Sequence, residues 1–376
     1  MKILIAGRGF DSRNRREVGV FELDQAKALL DAGHEVRFAA VDTRSLRRLR
    51  PLGCREYELD GISVVYCAIP SGARPAWLAE RAQRRAGEII WQRLEREAWI
   101  PDIVHAHFGT AMLSAARRRG VPTVYTEHLS AANRDVVSDA ELDREKSVCA
   151  LADLVVCVSH PLAERIGRRN GIEARVVHNI VDAAFIAEDK RKSENTETFG
   201  FVAAGSLIRR KGYDLVLSAL AKARDRLSVP LALTIIGEGE ERASLTALRD
   251  SLGLQECVAF TGQLSRAEMV EQYRRADAFV LASRLETFGV VYIEAMAMGL
   301  PVIATACGGP EDFVDDTNGL LVPTENVDSL ADAMETMVLG FSRYDRAAIA
   351  RTARERFSPR TIAGELDAVY RELMEC

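Results

Sequence analysis

Short apolar runs rich in β-branched residues alternate, almost from one end of the chain to the other, with longer stretches whose apolar positions recur at helical spacing. That alternation leaves little besides βαβ units around parallel sheets, because a parallel neighbour is reached only through a crossover, usually a helix. In the first half the strand candidates are Lys2–Ala6, Glu35–Ala40, Ser63–Ile69, Ile103–His107, Thr123–Thr126, Leu154–Ser159 and Arg175–His178. In the second they are Phe199–Ala204, Leu231–Ile236, Val258–Thr261, Ala278–Leu281, Pro301–Ala304 and Gly319–Val322. Helices are expected between them, as at Val20–Ala32, where Val20, Leu23, Ala26, Leu29 and Leu30 share a face and Gly33 caps the end. A longer one is expected over Ala76–Trp99, and a last one over Arg360–Met374.

A chain of 376 residues exceeds the roughly 250–300 that one hydrophobic core organises, so two domains are expected. Residues Glu188–Glu197 (EDKRKSENTE) hold no apolar side chain and read as a linker. The expected division is an N-terminal domain over 1–187, a linker over 188–197, a C-terminal domain over 198–357 and a final helix over 358–376 able to cross back. In open α/β sheets ligands bind beyond the carboxyl ends of the strands, so two facing sheets would share a cleft.

Hydrophobic residues make up 48% and charged residues 28%, the profile of a globular protein able to bury a large core. No run approaches the ~20 apolar residues that span a bilayer, and Met1-Lys-Ile-Leu-Ile-Ala enters a strand pattern directly, from which a cytoplasmic location is expected. Seven scattered cysteines without a C-x-x-C pair point to reduced, mostly buried thiols rather than a disulfide framework or a zinc site. Up to residue 185 there are 28 basic against 25 acidic residues, and beyond it 22 against 30. The more basic first half suits an anionic acceptor or the face of an anionic membrane, and the acidic remainder argues against nucleic acid.

Three loops carry chemistry. Strand Phe199–Ala204 runs into Gly205-Ser-Leu-Ile-Arg-Arg-Lys-Gly212, where Arg209, Arg210 and Lys211 open a helix and would make a diphosphate site; a solvated basic turn is the alternative. Strand Leu231–Ile236 ends in Gly237-Glu-Gly-Glu-Glu-Arg242, which lacks the third glycine of a dinucleotide signature and reads as a tight turn. Strand Ala278–Leu281 leads to Glu286-Thr287-Phe288-Gly289-Val290, with Glu294 about two turns further on. A glutamate amid Val290, Val291, Ile293 and Ala295 is costly to bury unless something hydrogen-bonds it; the hydroxyls of a ribose would, and so would a local arginine. The Thr287–Val290 helix start offers amide N–H groups to a phosphate.

In these residues the chain resembles glycosyltransferase family 4, retaining nucleotide-sugar-dependent enzymes of the GT-B fold, with two Rossmann-like domains facing across a cleft. The family's E-x7-E motif stands here as Glu286 and Glu294 within ETFGVVYIEAMAMGLPVIAT. Further segments similar to the family's are Gly205–Gly212, the I-I-G-E-G-E turn, Phe260-Thr-Gly262, Gly308-Gly-Pro-Glu311 and Asn318-Gly-Leu-Leu-Val322. Looser matches lie at Pro101-Asp-Ile-Val-His-Ala-His107, Tyr125-Thr-Glu-His128 and His178-Asn-Ile-Val-Asp182. The resemblance implies that Glu286 contacts the transferred sugar, Glu294 holds the ribose, Arg210 and Lys211 bind the donor diphosphate, and His107 lies beside the donor sugar. Gly205, Arg209, Gly237, Thr287, Phe288, Gly289 and Val290 join the donor side, and Gly19 and His128 the acceptor side. The arginine frequent after the family's first C-domain glycine is Ser206 here, which moves phosphate binding onto Arg209–Lys211.

The implied reaction moves a hexosyl unit from a nucleotide-diphosphate sugar, UDP-sugar first and GDP-sugar next, to an acceptor hydroxyl with retention, in bacterial polysaccharide or glycolipid synthesis. No Asp-x-Asp motif stands at a suitable loop, so neither metal nor other cofactor is expected. Arg13, Arg15 and Arg16, after the first strand, would bind a phosphate or carboxylate on a sugar or lipid-linked acceptor, or form a solvated basic loop. Segment Arg81–Arg96 mixes arginines with Ile89, Ile90 and Trp91, suiting either peripheral membrane contact or core packing with a charged outer face. Two rival readings are a nucleotide-sugar epimerase of the same architecture and a non-catalytic nucleotide-sugar-binding module.

Overall fold

The computed structural model describes residues 1–8, 20–42, 53–69, 76–108, 110–134, 136–186 and 197–375. The chain divides into two compact units, Met1–Ile180 with Pro359–Cys376, and Val181–Ser358. Arg13, Arg15, Arg16, Gly19 and most of the expected linker lie outside the described residues. No helix among the described residues is long and apolar enough to cross a membrane.

In the first unit the described strands are β1 (Lys2–Arg8), β2 (Glu35–Asp42), β3 (Gly53–Leu59), β4 (Ile62–Ala68), β5 (Ile103–His107), β6 (Thr123–Glu127), β7 (Leu154–Cys157) and β8 (Arg175–Val176). They form one sheet in the order β3-β4-β2-β1-β5-β6-β7-β8. Ile3, Ile5, Phe38, Val64, Ile103, Val124 and Val156 fill its interior, the near-continuous apolar character of strands covered on both faces. The final helix, Pro359–Glu375, completes that core with Ile362, Leu366, Val369 and Tyr370, so the chain ends on the unit where it began.

One edge departs from the all-parallel expectation. Strand β3 runs antiparallel to β4, joined by Asp60-Gly61 with φ of 51° and 80°. Two successive positive φ values make the tight hairpin turn that matches strand twist, and Asp-Gly is its strongest sequence signal. The antiparallel register sets Cys54 opposite Cys67 with Cα atoms 4.1 Å apart, and the two are joined as a disulfide. The expectation of reduced thiols is corrected for this pair: no short spacing announces it, since the bond follows from cross-strand register.

In the second unit β9 (Phe199–Ala204), β10 (Leu231–Ile236), β11 (Val258–Gly262), β12 (Ala278–Leu281), β13 (Val302–Thr305) and β14 (Gly319–Val322) form a wholly parallel sheet. Its order among the described residues is β11-β10-β9-β12-β13-β14. The order reverses between β9 and β12, so their carboxyl ends flank the crevice where an open α/β sheet takes its ligand. In the first sheet the corresponding reversal lies between β1 and β5.

Candidate active site

The loops after β9 and β12 meet at that reversal and are stitched together by hydrogen bonds. Arg284 N donates to Arg210 O at 2.8 Å, and Arg210 Nη1 donates to Leu285 O at 3.1 Å. Arg284 also donates from Nη1 to Arg209 O at 2.6 Å, while its guanidinium makes a two-pronged pair with Asp214 at 2.8 Å for each contact. Such a planar fork fixes geometry as well as charge. The basic turn Arg209–Lys211 is thus a 3-10 turn held against the acidic loop rather than a solvated excursion.

At the centre Glu286 is buried, 5% exposed. Its Oε1 accepts from Lys211 Nζ and, at 2.9 Å, from Ser283 Oγ. Arg210 Nη1 stands 3.8 Å from its Oε2. A buried carboxylate requires such partners, because desolvation alone would cost several kcal/mol. The backbone of Glu286 is also fixed: its N–H donates to Cys307 O at 3.3 Å and its carbonyl accepts from Gly309 N at 3.0 Å. Tyr213 donates its hydroxyl to Gly205 O at 3.1 Å, and burial, with Glu286 nearby, pushes that phenol above its ordinary range.

Gly237 adopts φ of +140°, and a Cβ there would come within 2.0 Å of Gly205 O. Its part is to let the β10 turn pack against the basic loop, which agrees with the tight-turn reading of that segment. Thr287 is buried; the Phe288 ring turns into the core, edge-on to Phe313 at 5.2 Å and Phe357 at 5.7 Å. Gly289 then caps helix Val290–Ala297, whose first-turn amides have no carbonyl four residues earlier within the helix.

Glu294, in that helix, is 5% exposed, and Arg266 Nη1 lies 3.3 Å from its Oε1. Arg266 Nε is in turn 3.1 Å from Asp182 Oδ2. The arginine is placed by its own helix start: Ser265 and Glu268 form a capping box that leaves Arg266 as the first helical residue. Glu294 therefore has an arginine partner, though not a local one: Arg266 is 28 positions away in sequence. Sequence reading singled out neither Arg266 nor Arg284, whose partners lie 28 and 70 positions away; the capping box at Ser265 was the available signal for the first.

The first unit gathers a second group. His107 ends β5 and His128 follows β6, the next strand. His107 Nδ1 and His128 Nε2 are 2.8 Å apart, and both side chains are buried. His105 stacks on His107 with ring centroids 4.4 Å apart. It is hydrogen-bonded to Tyr370 Oη and Thr126 Oγ1, both at 2.6 Å, and burial pulls its imidazole down to about 3. Glu127 accepts from the N–H groups of His128 and Leu129 at 2.9 and 2.7 Å, and burial raises its carboxyl above the usual range.

Comparison with known proteins identifies the family of the chain. The model of "Glycosyltransferase Family 4" matches residues 18–185, and that of "Glycosyl transferases group 1" matches residues 185–356. A D-inositol 3-phosphate glycosyltransferase of Mycobacteroides abscessus is 33% identical over 67% of this chain, which spans 62% of that protein. The "putative teichuronic acid biosynthesis glycosyltransferase TuaC" of Bacillus subtilis is 27% identical over 89% of this chain and 88% of its own length. Among solved structures, Anabaena Alr3699/HepE in complex with UDP and glucose superposes with a TM-score of 0.74 at 19% identity, over 99% of this chain and 100% of that one. With both halves matched and the two-unit α/β fold in common, the chain belongs to the family 4 glycosyltransferases of the GT-B fold and is a glycosyltransferase.

Proposed function

We propose that this glycosyltransferase moves a hexosyl unit from a nucleotide-diphosphate sugar, UDP-sugar first and GDP-sugar next, to an acceptor hydroxyl with retention of anomeric configuration. The observation that carries the reading is the pairing of Lys211 and Arg210 with Glu286 at the carboxyl ends of the adjacent strands β9 and β12. Two cations beside a helix start stabilise the charge that develops on a departing diphosphate. They do so with no metal ion or other cofactor in the reading. When donor enters, its phosphates take over the cations, and the carboxylate of Glu286 is left to the hydroxyls of the transferred sugar. Glu294, oriented by Arg266, accepts from the ribose hydroxyls. His107 lies beside the transferred sugar, and His128 belongs to the acceptor side.

The acceptor is a sugar or a lipid-linked sugar, and the pathway is bacterial polysaccharide or glycolipid synthesis. Support comes from the surplus of basic residues in the first half and from the teichuronic acid relative. Peripheral contact of the N-terminal half with the inner face of the membrane fits the same reading.

The test is turnover of UDP-glucose, GDP-mannose and ADP-glucose with EDTA present, with the anomer of the product assigned by NMR. Retention is expected. Inversion, or a strict metal requirement, contradicts the mechanism, and an isomerised sugar formed from donor alone turns the reading to an epimerase.

A further inference from the structure

His107 has two imidazole neighbours, His105 stacked on it and His128 hydrogen-bonded to its Nδ1. The His128 ring stacks with two aromatic rings: Phe108, at 5.1 Å and 25° between planes, and Phe21, at 5.8 Å and 12°. Phe108 reaches it from a left-handed backbone, φ of 61°, which is rare and costly for a residue with a large side chain. Strain of this kind persists where the surroundings over-determine it. The residue that ends β5 is His107, so this bend folds the next ring, Phe108, back over the partner of His107. From the other direction, the carboxylate of Glu127 fixes the backbone N–H groups of His128 and Leu129.

Position alone does not account for the pair. A hydrogen bond between imidazole nitrogens 2.8 Å apart is carried by one proton, so the tautomers of the two rings are tied to each other. His105, stacked against His107, is neutral and has both its own nitrogens engaged by Tyr370 and Thr126. That stacking fixes the plane of His107 but leaves its tautomer open. The hydrogen bond shared with His128 ties it to the tautomer of that ring.

We propose that His128 is a positioning residue for His107: its Nε2, hydrogen-bonded to Nδ1 of His107, holds that ring in one tautomer and one plane, so that any contact to substrate passes through Nε2 of His107. The proposal rests on the reading of His107 as the residue beside the transferred sugar and adds a residue that works through it.

The protein labelled with [15N]histidine tests this by two-bond 1H–15N spectra at neutral pH, the His107 signals being identified by their loss in His107→Gln. Wild type is expected to show one neutral tautomer at His107. His128→Phe keeps an aromatic ring against Phe21 and Phe108 but removes the hydrogen bond, and is expected to give an exchanging mixture of tautomers. His128→Gln, which keeps a polar terminus, retains a single tautomer. Should His128→Phe fail to fold, His128→Leu takes its place. With the donor that the turnover test identifies, His128→Phe lowers kcat about tenfold while KM for donor holds, the loss of one hydrogen bond of about 1.4 kcal/mol. A mixture already present in wild type, an unchanged His107 pattern in His128→Phe, or an unchanged kcat overturns the proposal. UDP binding is measured alongside: if wild type fails to bind any nucleotide while the tautomer responds as described, the functional reading falls and the histidine pair stands.

Discussion

Lys211 and Glu286 lie 75 positions apart in sequence and form a largely buried ion pair at the point where the second sheet reverses its strand order. One partner comes from the turn after β9, the other from the loop after β12. Each alone has an ordinary explanation; together they form a charge pair that a diphosphate sugar is suited to divide.

That pair has separable effects on stability and activity. Removing one member of a buried pair typically costs about 3–5 kcal/mol. With Ser283 and Arg210 still beside the carboxylate, Lys211→Ala is expected near the lower end, about 3 kcal/mol, in chemical denaturation. Lys211→Met with Glu286→Gln, uncharged and of similar volume, recovers most of that loss yet stays inactive. Recovery of activity along with stability would show the pair to be architectural only.

Gly237→Ala tests the packing of the β10 turn on the basic loop. Its Cβ would meet Gly205 O at 2.0 Å from a backbone at φ +140°, so the turn must shift. A loss of about 1–3 kcal/mol is expected, with weaker nucleotide binding, since the turn packs against the loop that carries Gly205. Thermal denaturation with and without nucleotide checks both.

The His105 imidazole is held down to about 3 by burial, from an ordinary 6.5. A base whose folded value is depressed contributes stability that is full above the unfolded value and is lost as pH falls toward the folded one. The first unit is therefore expected to weaken between about pH 6.5 and pH 3. His105→Gln, less stable at pH 7.5 because it disturbs Tyr370 and Thr126, should show a shallower loss over that range. Denaturant midpoints at several pH values decide it, and equal slopes would contradict the assignment.

Much of the frame is visible in the chain because strands buried on both faces declare themselves: Phe199–Ala204, Leu231–Ile236, Ala278–Leu281 and Gly319–Val322 stand in the structure with the bounds their composition suggests. Strand β3 was not visible, since Gly-Cys-Arg-Glu-Tyr-Glu-Leu on an edge has polar residues where a buried strand has aliphatic ones. The Asp60-Gly61 turn was its true signal. The Cys54–Cys67 bond depends on register and so escapes any rule of spacing. In the site, Glu286, Glu294 and Lys211 are marked by charge in apolar or glycine-bounded surroundings. Arg266 and Arg284 are two arginines among many, distinguished only by partners that folding brings to them.

The measurement that tests the central claim most directly is thermal stabilisation by UDP, GDP and ADP, each with EDTA, in wild type and Glu294→Ala. One nucleotide should stabilise wild type by about 2.7 kcal/mol at a hundredfold excess over its dissociation constant, and Glu294→Ala should lose that gain. No stabilisation by any of the three, or a gain left whole in Glu294→Ala, would contradict the donor site described around Glu286, Lys211 and Glu294.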